Sequence, residues 1–129
     1  MDASDTLLSS FRDTTLALVR NDDRDLTSRQ MGVFLVVYTE ERCHTIRRLA
    51  SDLNVGRPAI TRAADRLERL GLVRRKPDPA DGRSVLLTHT GKGGAFLREL
   101  RKIVAAKPAR SAPGPKRKSP ATAVAEARA

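Results

Sequence analysis

Arginine is concentrated in the middle of the chain, where guanidinium groups could bind phosphate oxygens or the edges of nucleobases. Residues 46–83 hold 10 basic and 5 acidic side chains, whereas residues 1–45 hold 5 basic and 8 acidic ones. The whole chain has a formal net charge of +10. Self-repulsion of this size favours a polyanionic partner, either nucleic acid or an anionic membrane surface.

The arginines within residues 57–69 fall on one side of a predicted helix. The opposite side is an apolar stripe at helical spacing, formed by Ile60, Ala63 or Ala64, Leu67 and Leu70. The polar side consists of Ala59, Thr61, Arg62, Asp65, Arg66 and Arg69. Its small residues come first, where a close approach to base edges requires them. Arg62 and Arg66 repel each other at i and i+4; Asp65 partly offsets this cost, and a phosphate-lined groove would turn it into attraction.

A solvated helix face explains this charge run equally well when the helix is considered alone. The segment that follows favours nucleic acid. It adds Arg74, Arg75, Lys76 and Arg83 around a hairpin turn in which only Asp78 and Asp81 oppose them. Helix and hairpin together therefore predict a surface that binds double-stranded DNA.

Few other residues could do chemistry. The single cysteine, Cys43, excludes an internal disulfide and a multi-cysteine metal site. Nearby positive charge would favour a thiolate there, but a small buried residue in a short strand beside the hairpin is the preferred interpretation. Residues 90–94 lack the upstream glycine and the Ser or Thr of a phosphate loop. No set of nucleophile, base and orienting group is apparent, so we predict no enzyme, no cofactor and no metal.

The elements that position these residues follow from caps and periodicity. Residues 5–20 predict an amphipathic helix, and a second helix begins at a capping box formed by Thr27 and Gln30. Thr45 caps a short third helix. Residues 54–56 form a tight turn, and the fourth helix then has Pro58 in its first turn and stops at Gly71.

Residues 72–76 and 84–88 predict two strands joined by residues 77–83, whose prolines end the first strand. A fifth helix begins near Thr88 or Thr90 and ends near Ala105. This order predicts a mainly α fold with a small β-hairpin wing, that is, a winged helix-turn-helix.

Composition divides the chain into three parts. Residues 1–26 are an N-terminal helix and loop and a candidate dimerisation element; residues 27–104 form the winged helix-turn-helix domain with its following helix. Residues 105–129 contain 9 Ala, 4 Pro and 6 Lys or Arg, which predicts a disordered basic tail. No stretch approaches the ~18 apolar residues of a membrane span, and the acidic N-terminus is not a secretory signal. We expect a cytoplasmic, nucleoid-associated protein without membrane contact.

Two stretches resemble the MarR family. NVGRPAITRAADRLERLGLVRR (residues 54–75) is similar to that family's recognition helix and first wing strand, and DPADGRSVLLTHTG (residues 78–91) to its wing and the entry to the next helix. The resemblance implies a bacterial DNA-binding transcriptional regulator, generally a homodimer, often released from DNA by a small phenolic or lipophilic effector. Family members usually continue with long helices after the wing. Because the fifth helix here ends near Ala105, we expect residues 5–20 to supply much of the dimer interface.

The resemblance also implies roles for individual residues. Pro58, Ala59 and Arg62 correspond to positions where the family contacts the major groove or its flanking phosphates. We predict that Arg57, Thr61 and Arg66, on the same helix, also bind DNA. Arg83 corresponds to the wing arginine that enters the minor groove, and Asp81 to a carboxylate that often stabilises the wing. We also predict that Arg75 supports the wing. An arginine in a narrow A·T-rich minor groove gains from its enhanced negative potential.

Two other hypotheses remain open at this point. One is an architectural, nucleoid-type protein that uses the same fold and the basic tail to bind DNA with little specificity. The other is a protein-interaction module that no longer binds DNA, against which the arginines at 57, 62, 66 and 83 argue.

Overall fold

The computed structural model describes residues 2–106, which form five α-helices and a two-stranded antiparallel hairpin. The elements are α1 (Ala3–Val19), a 3₁₀ turn (Asp22–Arg24), α2 (Ser28–Thr39), α3 (Ile46–Leu53), α4 (Arg57–Arg69), β1 (Val73–Asp78), β2 (Asp81–His89) and α5 (Gly91–Ala105). Their order is the one predicted from the sequence. Residues 107–129, which make up most of the predicted basic tail, lie outside the described residues.

Local side-chain hydrogen bonds cap the starts of α2, α3 and α5. Thr27 and Gln30 form the predicted capping box at α2: the Thr27 hydroxyl accepts from the Gln30 amide at 3.1 Å, and the Gln30 side chain accepts from the Thr27 amide at 3.0 Å. Thr45 caps α3 by accepting from the Arg48 amide at 3.0 Å. Thr90 caps α5 by accepting from the Gly93 amide at 2.9 Å. These bonds satisfy backbone donors that the first helical turn leaves without partners.

The connections on either side of α4 use left-handed backbone. Asn54 ends α3 at φ 58°, and Gly71 follows α4 at φ 78°. Both residue types tolerate this region, which is costly for other side chains. The two turns fix the angle at which α4 leaves α3 and enters the hairpin.

The core lies where α2, α3, α4, the base of the hairpin and α5 meet. Aliphatic side chains such as Leu49, Ile60 and Leu67 are fully buried. An aromatic cluster joins them: the Phe34 ring centroid lies 4.4 Å from that of Tyr38 and 5.0 Å from that of Phe96. This cluster holds α5 against α2.

Tyr38 also connects the hairpin to α5. Its hydroxyl donates to the Leu72 carbonyl at 2.6 Å and accepts from the Thr90 amide at 2.9 Å. The His89 ring stacks on Tyr38 at 4.0 Å. A Cβ at Gly93 would overlap the Tyr38 hydroxyl, so this glycine is required for the close approach of α5.

The hairpin strands are longer than predicted. β1 continues through Pro77 to Asp78, and β2 starts at Asp81, so the turn is shorter than residues 77–83. Each strand of a two-stranded sheet is an edge strand, where the missing proline N–H is tolerated. The register shifts directly after Pro77, which is how the hairpin accommodates it.

The prediction that Cys43 is buried was wrong, because the cysteine is exposed and His44 is the buried residue. His44 Nε2 lies 2.8 Å from the Glu40 carbonyl oxygen. The hairpin does pair with this segment, since Thr45 forms a β-bridge with Leu86. A strand alternates its sides, and sequence alone left open which residue of the pair faces inward.

Helix α1 differs from the other helices because none of its residues is buried. The side chains of Leu7, Leu8 and Phe11 are 70%, 66% and 68% exposed, respectively. The C-terminal half of α1 packs against α5, with Leu18 partly buried against the core. The N-terminal half therefore presents an apolar surface.

Candidate nucleic-acid interface

Helix α4 presents polar residues on the side opposite the core. Ile60, Ala63, Ala64 and Leu67 face inward and are buried. Arg57, Pro58, Thr61 and Arg62 are exposed on the other side, while Ala59 and Arg66 are half-buried. The structure thus places the six predicted positions on α4, with four of them exposed to solvent.

Helix α3 braces α4 from behind. Its Leu49 and Ala50 are buried in the shared core. The turn between the helices is closed by the Val55 amide, which donates to the Ala50 carbonyl at 3.0 Å. Two packed helices joined by a short turn form the helix-turn-helix arrangement, in which the second helix can enter a groove.

The wing tip is held by two aspartates. Asp81 accepts from the Arg83 backbone amide at 3.1 Å and from the Ser84 hydroxyl at 3.2 Å. Asp78 accepts from the Ala80 amide at 2.9 Å. These bonds occupy the carboxylates within the turn and leave the Arg83 side chain exposed at the tip.

Arg75 links the wing to α4. Its guanidinium contacts the Asp65 carboxylate at 2.6 Å and the Glu68 carboxylate at 2.8 Å. The second Glu68 oxygen accepts from the Arg75 backbone amide at 3.2 Å. We call this group, Asp65, Glu68 and Arg75, the clamp. The clamp connects β1 to the C-terminal half of α4.

The charges of the clamp stabilise one another. The Arg75 backbone N–H, and next its guanidinium, hold the pKa of Glu68 below its usual 4.5, although partial burial opposes this. Burial disfavours the charge of Arg75, but the bonds to Glu68 and Asp65 outweigh it and raise the pKa of the guanidinium. Both groups are therefore fully charged at neutral pH.

The clamp corrects one expectation about α4. The sequence suggested that Asp65 offsets the repulsion between Arg62 and Arg66, but Asp65 pairs with Arg75 instead. Within residues 2–106, Arg57, Arg62, Arg66 and Arg83 form no ion pair. Their charges are available to an external anion.

Sequence reasoning missed the groove between α3 and the wing. Its volume is about 520 Å³, and it is lined by Thr45, Arg47, Arg48, Ser51, Asp52, Asp78, Asp81 and Ser84. Arg47 and Arg48 are exposed on the outer face of α3. The signal was visible, since two consecutive arginines follow a capping threonine, but only the fold places them beside the wing tip.

Residues 2–106 contain no group of three or more His, Cys, Asp or Glu side chains arranged to bind a metal ion. In the same part of the chain, no helix combines the length and apolar character that a membrane crossing needs.

Comparisons with known proteins identify the family. The MarR family model matches residues 24–84. A transcriptional regulator from Thermotoga maritima is 25% identical, with a TM-score of 0.65, over 75% of this chain and 66% of that one. The transcriptional repressor CouR, bound to a 23-mer DNA duplex, is 31% identical, with a TM-score of 0.62, over 78% of this chain and 68% of its own. A mutant MarR from E. coli complexed with operator DNA is 31% identical, with a TM-score of 0.62, over 76% of this chain and 67% of that one.

The chain belongs to the MarR family. The winged helix-turn-helix fold predicted from the sequence is thereby confirmed, and MarR-family proteins are DNA-binding transcription factors rather than enzymes. The chain spans about two thirds of the length of the solved structures it matches. No curated protein sequence matches it.

Proposed function

We propose that the chain is a sequence-specific transcriptional regulator that places α4 in the major groove and Arg83 in the minor groove of double-stranded DNA. The observation that supports this most directly is the set of arginines on α4 and at the wing tip that form no ion pair within residues 2–106. Helix α4 has 13 residues, which gives a length of about 20 Å. An α-helix fits the major groove, about 12 Å wide.

The proposed contacts divide by type. Arg62 and Thr61 lie on the exposed face of α4, where side chains can hydrogen-bond base edges. Arg57 and Pro58 form the first turn, close to where flanking phosphates would run. Arg66 and Ala59, which are half-buried, line the margin of this face. CouR and MarR, both solved with DNA, support the assignment by similarity.

The wing completes the site. Asp81 holds the turn so that Arg83 projects, and Arg75 holds the wing to α4. An arginine inserted into a narrow minor groove contributes through the negative potential there rather than through a base code. We therefore expect Arg83 to favour A·T-rich flanks.

We also propose that two copies associate through α1. Leu7, Leu8 and Phe11 form an apolar surface that the described part of the chain leaves open, and Val104 on α5 is 54% exposed. Exposed apolar patches of this kind mark association sites. A two-fold dimer would place two α4 helices ~34 Å apart, matching successive major grooves of a pseudo-palindromic site.

The dimer is tested by replacing Leu8 and Phe11 with serine and measuring mass by sedimentation as a function of concentration. We expect the double variant to shift towards the monomer. Val85→Ser is the matched control, since Val85 is exposed on the wing and should leave the mass unchanged. A double variant that remains dimeric would place the interface elsewhere.

DNA binding is tested by selecting the duplex that the full chain prefers from a random-sequence pool. The full chain is then titrated with this matched duplex and with a scrambled version of it at two salt concentrations. A specific regulator should prefer its matched site by a factor of about 10³ or more. A ratio near one with a steep salt dependence would favour the architectural alternative, for which the basic composition of residues 105–129 argues. No binding at low salt would favour the protein-interaction module.

A small-molecule effector would need a cavity near the DNA-binding unit. A cleft of about 120 Å³ between α1, the 3₁₀ turn and α5 is lined by Ala17, Leu18, Asn21, Arg24, Phe96, Glu99, Leu100 and Ile103. Sites for drug-sized ligands usually measure about 300–1,000 Å³, so binding there would require α1 to move. If an effector releases the protein from DNA, adding a phenolic compound should weaken DNA binding. A cytoplasmic location on the nucleoid follows from the proposed DNA binding.

A further inference from the structure

Two acidic residues lie on the helix that we place in the DNA. Asp65 and Glu68 are 39% and 36% exposed, respectively, and each would be repelled by phosphate if it faced the groove. Counting charges alone, their removal should strengthen binding to DNA. The clamp geometry leads to the opposite expectation.

The clamp uses one arginine to engage two carboxylates three residues apart on α4. Nε and Nη2 of Arg75 both lie 2.8 Å from one oxygen of Glu68, while Nη1 lies 2.6 Å from Asp65. The Arg75 backbone amide adds a bond to the other Glu68 oxygen. Only a forked guanidinium can make these contacts at once; a lysine ammonium cannot.

The clamp is one of several connections at the base of the wing, which also include the His89 ring, whose Nε2 lies 2.8 Å from the Val37 carbonyl oxygen. The clamp joins β1 to α4, and on the other strand the Leu87 amide donates to the His44 carbonyl at 2.9 Å, next to the bridge between Thr45 and Leu86. The clamp fixes β1 to the helix, and the bond to His44 fixes β2 to the segment before α3. With these connections in place, the wing has one orientation relative to α4.

We propose that Glu68 and Arg75 are positioning residues for DNA recognition, which hold the wing at the angle where α4 and Arg83 contact neighbouring grooves together. This inference rests on the proposed function. Two contacts on one rigid body reinforce each other because the second forms without further ordering. A loosened wing would lose most of the contribution of Arg83 while α4 could still bind.

The decisive test is Glu68→Gln. The change in charge predicts a higher affinity for the matched duplex, whereas the loss of the clamp geometry predicts a lower one. We expect affinity for the matched duplex to fall about threefold to tenfold, the cost of ordering a loosened element, although the net positive charge increases. Affinity for scrambled duplex should stay level or rise. Glu41→Gln is the matched control, because Glu41 is exposed and outside the clamp; it should bind both duplexes at least as well as the parent.

Two further variants separate positioning from a general loss of stability. Arg75→Lys keeps the charge and should still lose affinity for the matched duplex. The penalty for Arg83→Ala, measured in the parent and again in Glu68→Gln, should shrink from about tenfold to about twofold. An equal penalty in both backgrounds would mean that the clamp does not position the wing. Thermal unfolding of each variant shows that the fold persists at the assay temperature.

The outcomes distinguish this inference from the proposed function. If the parent chain binds no duplex, the proposed function fails and the inference fails with it. If the parent binds its matched site and Glu68→Gln binds matched and scrambled duplexes more tightly by the same factor, the positioning role alone is overturned. Hydrogen exchange at the Arg75 amide, which should accelerate in Glu68→Gln, reports on the clamp without DNA.

Discussion

The winged unit, α2 to α5, and helix α1 differ in where their apolar side chains lie. In the winged unit, large residues such as Phe34, Leu67 and Phe96 are at most 1% exposed. In α1, Leu7 and Phe11 are more than two-thirds exposed. Burial of a large apolar side chain contributes about 1.5–3 kcal/mol, so the first region is stable through contacts within the chain. The second requires a partner for the same gain.

The largest expected effect contrasts one residue from each region. Phe34→Ala should lower the free energy of unfolding by about 3–5 kcal/mol, because it leaves a cavity in the aromatic cluster. Leu7→Ala should change the monomer by less than about 0.5 kcal/mol, as for most surface substitutions. Chemical denaturation at several protein concentrations measures both.

Concentration sharpens this contrast. The loss in unfolding free energy from Phe34→Ala should be the same at every protein concentration, whereas any loss from Leu7→Ala should grow as the proposed dimer forms. If Leu7→Ala lowers the free energy of unfolding as much as Phe34→Ala in dilute protein, Leu7 is buried within the monomer. The contrast between the two regions would then be wrong.

A smaller effect concerns the proposed DNA-binding surface of the winged unit. Arg62→Ala should weaken binding to a matched duplex by about 1–3 kcal/mol and relax the preference at one base pair. Arg83→Ala should weaken binding most where the flanks are A·T-rich. Fluorescence anisotropy with duplexes that vary single positions measures both effects. Arg20→Ala, directly after α1, is the matched control and should bind like the parent; a variant at 62 that binds equally well would remove that arginine from the site.

Removing a helix cap should lower the free energy of unfolding by up to about 1 kcal/mol, and the loss should differ between the two regions. Thr45→Ala removes the cap of α3, which braces α4, and should lower the free energy of unfolding by about 1 kcal/mol. Asp2 caps α1 by accepting from the Asp5 amide at 2.9 Å. Because α1 lies on the surface, Asp2→Ala should lower the free energy of unfolding by only about a few tenths of a kcal/mol. Equal losses would show that α1 unfolds together with the winged unit.

Local features were predictable because their causes are local. The capping box at Thr27 and the left-handed turn at Asn54 depend on residues within four positions, which sequence displays directly. The apolar stripe of α4 followed from its period. From these signals, the order of elements and the face of α4 that holds Arg62 could be predicted.

Features that depend on distant residues could not be predicted in the same way. Asp65 pairs with Arg75 rather than with the arginines beside it, because only the folded hairpin brings Arg75 within reach. The bond from Tyr38 to Leu72 spans 34 positions. Which of Cys43 and His44 faces inward depends on how β2 approaches, and neighbouring residues do not encode this approach.

The smallest expected effect is a pH dependence that arises from the clamp. The pKa of Glu68 in the folded chain lies below 4.5. The contribution of Glu68 to the free energy of unfolding is therefore fully present above pH 4.5 and is lost as the pH falls through the pKa of the folded chain. The loss should be small, since the carboxylate is 36% exposed and water screens exposed pairs. In Glu68→Gln, the fall in unfolding free energy between pH 5 and pH 3 should be shallower than in the parent, while the Glu41→Gln control should follow the parent. Identical slopes in the parent and Glu68→Gln would mean that the clamp contributes nothing to stability, and that any effect of Glu68 on DNA binding arises from wing geometry alone.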